Sequence, residues 1–248
     1  MSNETLKVLL QHRSIRKFKP DTLDKATVEQ IVAAGQMASS SSHVQAFSVI
    51  AVTDQERKKT LAELTGNQSY VADCPVFLVW CADLSRLKYA ADHHLPGQDS
   101  YEGATESFII GTVDTALAAQ NAAIAAESMG LGIVYIGGIR NRIAEVSQLL
   151  ELPNLVYPVF GMCVGYPDQE PGQRPRLPVD AVLHWEAYDE HKTPEQIAAY
   201  DTTMVEYIKE RTHGERDKGW SALMADKLTV PSRLHMKKYL EDRGFKMD

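Results

Sequence analysis

The sequence predicts a mixed helix-and-strand domain built around a buried sheet, and three observations carry that expectation. Residues 76–81 (VFLVWC) are apolar without alternation, as a strand covered on both faces is. Residues 106–128 form a long alanine-rich run of helical character, apolar on most sides, which needs protein around it. The chain has 248 residues, 44% hydrophobic and 24% charged, enough for a core that needs no covalent staples, and one domain is the expectation.

The elements follow in order. Leu6, Leu9 and Leu10 predict a short amphipathic helix that ends before a basic stretch. Asp24 is placed as an N-cap with Leu23 and Val28 as a hydrophobic staple, and Val28, Ile31, Val32 and Met37 form the buried stripe of a helix reaching Ala38. Four serines, Ser39 to Ser42, lead through Gln45 into a strand over residues 47–52. A polar helix over 54–64 closes at Gly66. In the long helix, Asp114, Gln120, Asn121 and Glu127 interrupt the apolar run too often for a membrane span, so none is expected. Its small residues suit close helix approach in a dimer core, with a central helix inside a monomer as the alternative, and Gly130 ends it. A strand from Leu131 runs into Gly137-Gly138, then a helix over 141–150, then a strand over 156–164 interrupted by Pro158 and Gly161. Beyond His184 strand signals stop. Thr193-Pro194-Glu195-Gln196 predicts a capping box with proline in the first turn of a helix reaching Arg211. Arg211, Arg216, Lys218 and Arg233 gather as a basic patch around a loop and a short helix.

Composition excludes several functions. A net charge of −7 opposes general binding to nucleic acid or anionic membrane, so an anion site must be local. Three cysteines, Cys74, Cys81 and Cys163, are an odd count without CxxC spacing and point to a reducing compartment. The apolar patch at residues 6–10 is too short, and too soon followed by His12-Arg13, to read as a secretion signal; the expected location is the cytoplasm. The histidines have no HExxH or HxH spacing, so no metal is expected. There is no GxSxG elbow, no Walker loop, and no GxGxxG after a first strand.

What remains is cationic. His12-Arg13-Ser14-Ile15-Arg16-Lys17 places several cations and a hydroxyl on an extended segment, with His12, Ser14 and Arg16 on one face. Arg174-Pro175-Arg176 repeats the i, i+2 spacing far away in sequence, and two such pairs suit one phosphate. With hydroxyls, a glycine pair and no evident acid, base or nucleophile, the pattern fits an enzyme whose cofactor does the chemistry, and flavin mononucleotide suits it.

At this point the blocks His12 to Arg16, Ala38 to Gln45, Gly66-Asn67-Gln68, residues 116–132, Tyr135-Ile136-Gly137-Gly138 and Arg174 to Pro178, with the stretch from Glu210 to Ser221, resemble the oxygen-insensitive nitroreductase superfamily. The resemblance is to its branch of NAD(P)H-dependent flavin reductases and major nitroreductases, and it covers the chain in order. It implies an α+β fold: a three-layer sandwich with a central, mostly antiparallel sheet flanked by helices and FMN at a homodimer interface. Residues 1–183 would be the FMN-binding core, and 184–248 a helical C-terminal excursion that covers the active site and embraces the partner subunit. It further implies that His12, Arg13, Ser14, Arg174 and Arg176 hold the phosphate and ribityl, with Ser40 assisting from the partner subunit. Arg16 would lie at N1/O2, and Gln68, Tyr135, Ile136, Gly137 and Gly138 around the ring. Where Arg174 stands, relatives often carry lysine, which keeps the charge and changes the fork. Arg211, Arg216 and Arg233 would bind the nicotinamide dinucleotide, NADPH or NADH. The activity implied is ping-pong reduction of flavins, nitroaromatics and quinones; a non-catalytic flavin sensor or store is the alternative.

Overall fold

The computed structural model describes residues 3–247. In chain order the elements are α1 (Glu4–Leu10), α2 (Lys25–Gln36), β1 (Phe47–Val52), α3 (Gln55–Leu64), α4 (Ser69–Asp73), β2 (Val76–Asp83), α5 (Ser85–His94), α6 (Thr105–Ser128), β3 (Gly132–Ile136), α7 (Ile143–Leu149), β4 (Val156–Gly165), α8 (Thr193–Arg211), α9 (Trp220–Leu228) and α10 (Met236–Asp242). By compactness the chain divides into two units, one running to Pro171 and resuming at Arg233, the other Gly172–Ser232. The line expected at residue 184, drawn where strand signals stop, falls inside the smaller unit.

The larger unit is a sheet between two helical layers. Its strands run in the order β1-β2-β4-β3, and every pairing among them is antiparallel. All positions of β2 are buried, which is why its sequence does not alternate. The pleat sends Phe77, Val79 and Cys81 into a cluster with Leu61, Val71 and Val146, on the side of α3, α4 and α7. Val76, Leu78 and Trp80 go the other way, into a cluster with Ile31 of α2 and the alanines of α6. On that side α2 crosses α6 closely because position 35 is glycine. A Cβ there would lie 2.9 Å from the Ala118 carbonyl oxygen and 3.2 Å from Trp80 Cη2.

Pro158 and Gly161 have separate reasons. Trp80 pairs with Phe160 and Cys81 with Pro158, so Val159 is the extra residue of a bulge that accommodates the missing proline N–H. At Gly161 a Cβ would lie 2.1 Å from Phe77 Cζ. Because that ring is wholly buried, Gly161→Ala is expected to destabilise the fold by about 3 kcal/mol, the upper range for overpacking, read as a lowered thermal midpoint.

α6 is long and apolar enough to cross a membrane by length and composition alone, with a mean hydropathy of 1.3, but it packs as a core helix against α2 and β2. The expectation that it is covered all round needs correction. Gly111, Asp114, Thr115, Ala118, Ala119, Ala122, Ala123 and Ala126 are buried, whereas Ile109, Val113 and Leu117, spaced i, i+4, i+8, remain 47%, 48% and 44% exposed.

The cap expected at Asp24 forms: its carboxylate accepts from the Thr27 amide at 2.6 Å. Asp54, expected as the first residue of the polar helix, stands outside it as its cap and accepts from the Arg57 amide at 2.8 Å. α2 ends at Gln36, so Met37 leaves the helical period and is 82% exposed rather than part of the buried stripe. The helix expected from residue 141 starts at Ile143, because Gly137–Arg140 form a 3-10 turn.

The smaller unit pairs α8 with α9 around Tyr200, Met204 and Ile208, with Trp220 and Leu223 packed against them. Asp201 caps α9 by accepting from the Ser221 amide at 2.8 Å and from its hydroxyl, and these bonds hold its carboxyl below the usual range. The capping box expected at Thr193 is not formed. A 3-10 turn over Glu190–Lys192 runs straight into α8, leaving Lys192 in helical backbone with no extended residue to act as a cap.

Candidate active site

The basic N-terminal segment is tied to the free edge of β3. The Ile15 amide donates to the Ile133 carbonyl at 2.9 Å, and Ser14 makes a parallel bridge to Ile133. Gly132 permits this approach, since a Cβ there would lie 2.5 Å from Ile15 Cγ1. Ile15 is buried and anchors the segment. The cations on either side have different fates. His12 Nδ1 lies 2.7 Å from Glu127 Oε1, at the end of α6, which leaves Nε2 as its remaining polar atom. Arg13 reaches Glu170 at 3.5 Å, a loose pair because Glu170 is 86% exposed. Arg16 is exposed and, among the described residues, no hydrogen bond or ion pair involves its guanidinium.

A second cluster forms where the turn after α3 meets the end of β3. Gln68 Nε2 donates to the Thr65 carbonyl at 2.6 Å while its Oε1 accepts from the Tyr70 hydroxyl. Gly138 fits against this turn: a Cβ would lie 2.2 Å from the Thr65 oxygen and 2.5 Å from Gln68 Nε2. The glycine pair is therefore unequal, because a Cβ at Gly137 meets nothing closer than Arg140 Nη2 at 3.7 Å. Tyr135 stacks edge-to-face on Phe160 at 5.1 Å. Burial, then the charge of Glu127, pushes its phenol well above the ordinary range. Ile136 is buried in the core beneath.

Ser40 precedes a 3-10 turn over Ser41–His43, and its Oγ accepts weakly from the Gln45 amide at 3.4 Å. Arg140 donates to the Val159 carbonyl, and burial, followed by repulsion from Arg233, lowers its pKa. Arg233 Nε donates to Asn141 Oδ1 at 3.0 Å. Arg233 belongs to the larger unit, Arg211 and Arg216 to the smaller.

In the smaller unit, Arg174, Arg211, Arg216 and Lys218 line one recess of ≈690 Å³, together with Glu215, Asp217 and Asp226. Lys218 is paired with Asp226 at 2.6 Å and Arg211 donates to the Tyr207 hydroxyl at 3.0 Å. Arg176 donates instead to the Arg174 carbonyl at 2.8 Å. Among the described residues no group of three or more His, Cys, Asp or Glu is placed to hold a metal ion, and the three cysteines are buried and free.

The same chain matches family models along nearly its whole length. Residues 9–68 and 60–166 match the nitroreductase family, and residues 174–248 its C-terminal domain. The chain belongs to the nitroreductase family. An "FMN reductase (NADPH)" of Bacillus subtilis (strain 168) is 41% identical over 245 residues, covering 98% of each chain. The solved structure of B. megaterium NfrA1 superposes with a TM-score of 0.94 at 42% identity, over 98% of this chain and 99% of that one. That of NADPH:FMN oxidoreductase from Vibrio harveyi, complexed with NAD+, superposes with a TM-score of 0.86 at 42% identity and 98% coverage of both.

For a nitroreductase the donor set is apt. An imidazole, a hydroxyl and two guanidinium groups along one edge of the sheet suit a phosphomonoester and an anionic ring edge, and Gly138 leaves the Gln68 turn against the end of β3. Sequence reading picked out these groups but missed what positions them. Glu127 behind His12 and Asp114 behind the serine loop both act through contacts at long sequence separation. The one visible signal was a set of polar residues inside an otherwise apolar helix.

Proposed function

We propose that this nitroreductase uses FMN to carry reducing equivalents from NAD(P)H to flavins, nitroaromatics and quinones by a ping-pong route, as a cytoplasmic homodimer. The chain is an NAD(P)H-dependent flavin oxidoreductase, and full-length likeness to flavin reductases supports this. The observation that carries the cofactor assignment is the N-terminal segment, where Ile15 is locked to β3 while exposed Arg16 has no hydrogen-bond or ion-pair partner among the described residues.

Bound FMN would supply hydride acceptance from the nicotinamide and electron delivery to the second substrate. The protein's part is binding and electrostatics. His12, Arg13 and Ser14, joined by Arg174 and Arg176, neutralise the phosphate in this reading, and Ser40 of the partner subunit adds a donor. Arg16 places a fixed positive charge at the pyrimidine edge of the ring, where negative charge grows on reduction, without reorganising at that moment. Gln68 and the backbone of residues 135–138 orient the ring. Arg211, Arg216 and Arg233 take the dinucleotide. Glu215 and Asp217, which line the same recess as Arg211 and Arg216, temper a 2′-phosphate preference and leave NADH usable.

The test is direct. The purified protein should be yellow, and NADPH or NADH should bleach it within seconds under anaerobic conditions, with colour returning on addition of a nitrofuran or quinone. A yellow protein reduced by dithionite but by neither nucleotide would overturn the oxidoreductase reading in favour of a flavin store.

A further inference from the structure

The loop between α2 and β1 concentrates backbone strain. Ser42, His43 and Gln45 have φ of 47°, 59° and 50°, a region that side chains with a Cβ disfavour. Other non-glycine residues with positive φ, such as Asn67 or Glu151, stand apart from one another. Strain of this kind persists only where surrounding structure holds it.

Two groups hold it. Asp114, on α6 and 1% exposed, accepts from the Ser41 amide through Oδ1 at 3.0 Å and from the Ala46 amide through Oδ2 at 3.2 Å. One carboxylate thus closes the loop across both ends. From α5, Arg86 donates to the Gln45 and Phe47 carbonyls at 2.9 and 2.6 Å, and to Ser48 Oγ and Asp83 Oδ2 at 2.9 and 3.0 Å. The Asp83 amide in turn donates to the Ala46 carbonyl at 3.0 Å.

Asp114 is an unexpected residue to bury here. Its helical neighbours on the same face are Gly111, Thr115 and Ala118, so packing alone would take alanine. Among the described residues no Lys or Arg forms an ion pair with it; the two loop amides are its partners. A buried carboxylate without a countercharge is costly unless hydrogen-bonded, and here both oxygens are occupied by amides of the strained loop.

We infer that Asp114 is a positioning residue for the cofactor, setting the shape of the loop from Ser40 to Gln45 before FMN binds. This rests on the reading that Ser40 contacts FMN. A loop already held in its binding shape loses less entropy when the ligand arrives, so affinity depends on the clamp. Asparagine is the same size but offers one acceptor, and its NH₂ would face the second amide.

The experiment compares wild type with Asp114→Asn, and with Asp114→Asn carrying Ser42→Gly and Gln45→Gly, as full-length apo proteins. FMN affinity is read from quenching of flavin fluorescence, and stability from the thermal midpoint. Loss of preorganisation should weaken FMN binding by about tenfold in Asp114→Asn. The glycines, which accept positive φ freely, should recover the midpoint and leave affinity low. FMN binding by Asp114→Asn within about twofold of wild type overturns the inference, and so does recovery of both properties by glycine, which would mean the carboxylate serves fold stability alone. If Asp114→Asn yields no folded protein, amide exchange of wild-type apo protein decides. Protection of the Ser41 and Ala46 amides by about a hundredfold supports the clamp, and exchange at unstructured rates refutes it. A wild type that takes up no FMN would fail the cofactor assignment itself, an outcome separate from a wild type that binds FMN no better than Asp114→Asn.

Discussion

Replacing Arg16 with alanine is expected to slow flavin reduction by NADPH by about 10²–10³-fold, the usual loss when a preorganised donor to developing charge is removed, or to yield protein without bound flavin. The same substitution should leave the apo fold untouched. Arg16 is exposed, the anchoring in its segment belongs to Ile15 and Ser14, and removal of such a surface group shifts stability by roughly 0.5 kcal/mol or less. That separation gives the prediction its force: a large kinetic or binding effect beside an unchanged thermal midpoint marks a functional charge. Arg16→Lys should fall between, because an ammonium keeps the charge and loses the planar fork. Stopped-flow reduction at the wild-type rate, with full flavin occupancy in Arg16→Ala, would remove Arg16 from the proposed mechanism.

The second large effect concerns assembly. Ile109, Val113 and Leu117 make an apolar stripe on α6 that the single chain leaves about half exposed. Complete burial of such a side chain contributes about 1.5–3 kcal/mol, so in the proposed homodimer, with this stripe at its two-fold axis, each residue would count twice. Leu117→Glu would bring two carboxylates into that seam with no cation on the stripe to meet them, and the dimer dissociation constant should rise by about a thousandfold or more. Light scattering should then report a mass near 27.6 kDa in place of twice that value, and FMN should be lost with the partner's Ser40. An undisturbed dimer would place the interface elsewhere.

Sequence legibility followed the range of the forces. The helix cap at Asp24, the strand at residues 47–52 and the glycine stop at Gly130 were all readable, because each depends on side chains within a turn or two. α5 and α10 escaped notice: their sequences are polar enough to read as loop, and Tyr239 and Leu240 of α10 are buried by partners such as Leu155 and Tyr157, far away in the chain. The failed capping box at Thr193 has the same origin in reverse. A correct local motif was overridden by the 3-10 turn that feeds the helix.

The sequence by itself determined the candidate chemistry. Charge type and spacing along an extended segment, and the absence of nucleophile and metal patterns, are properties of neighbouring residues, and a mixed helix-and-strand class follows from apolar runs of two different lengths. Tertiary structure alone decided which polar groups are occupied. It set Glu127 against His12 across 115 positions, placed Asp114 beneath a loop lying 68 to 73 positions earlier, and left Arg16 exposed with no hydrogen-bond or ion-pair partner among the described residues. Hydrogen bonds and ion pairs act over a few ångströms of space with no regard for sequence distance, so they become visible when the sheet and its helices have brought those ångströms about.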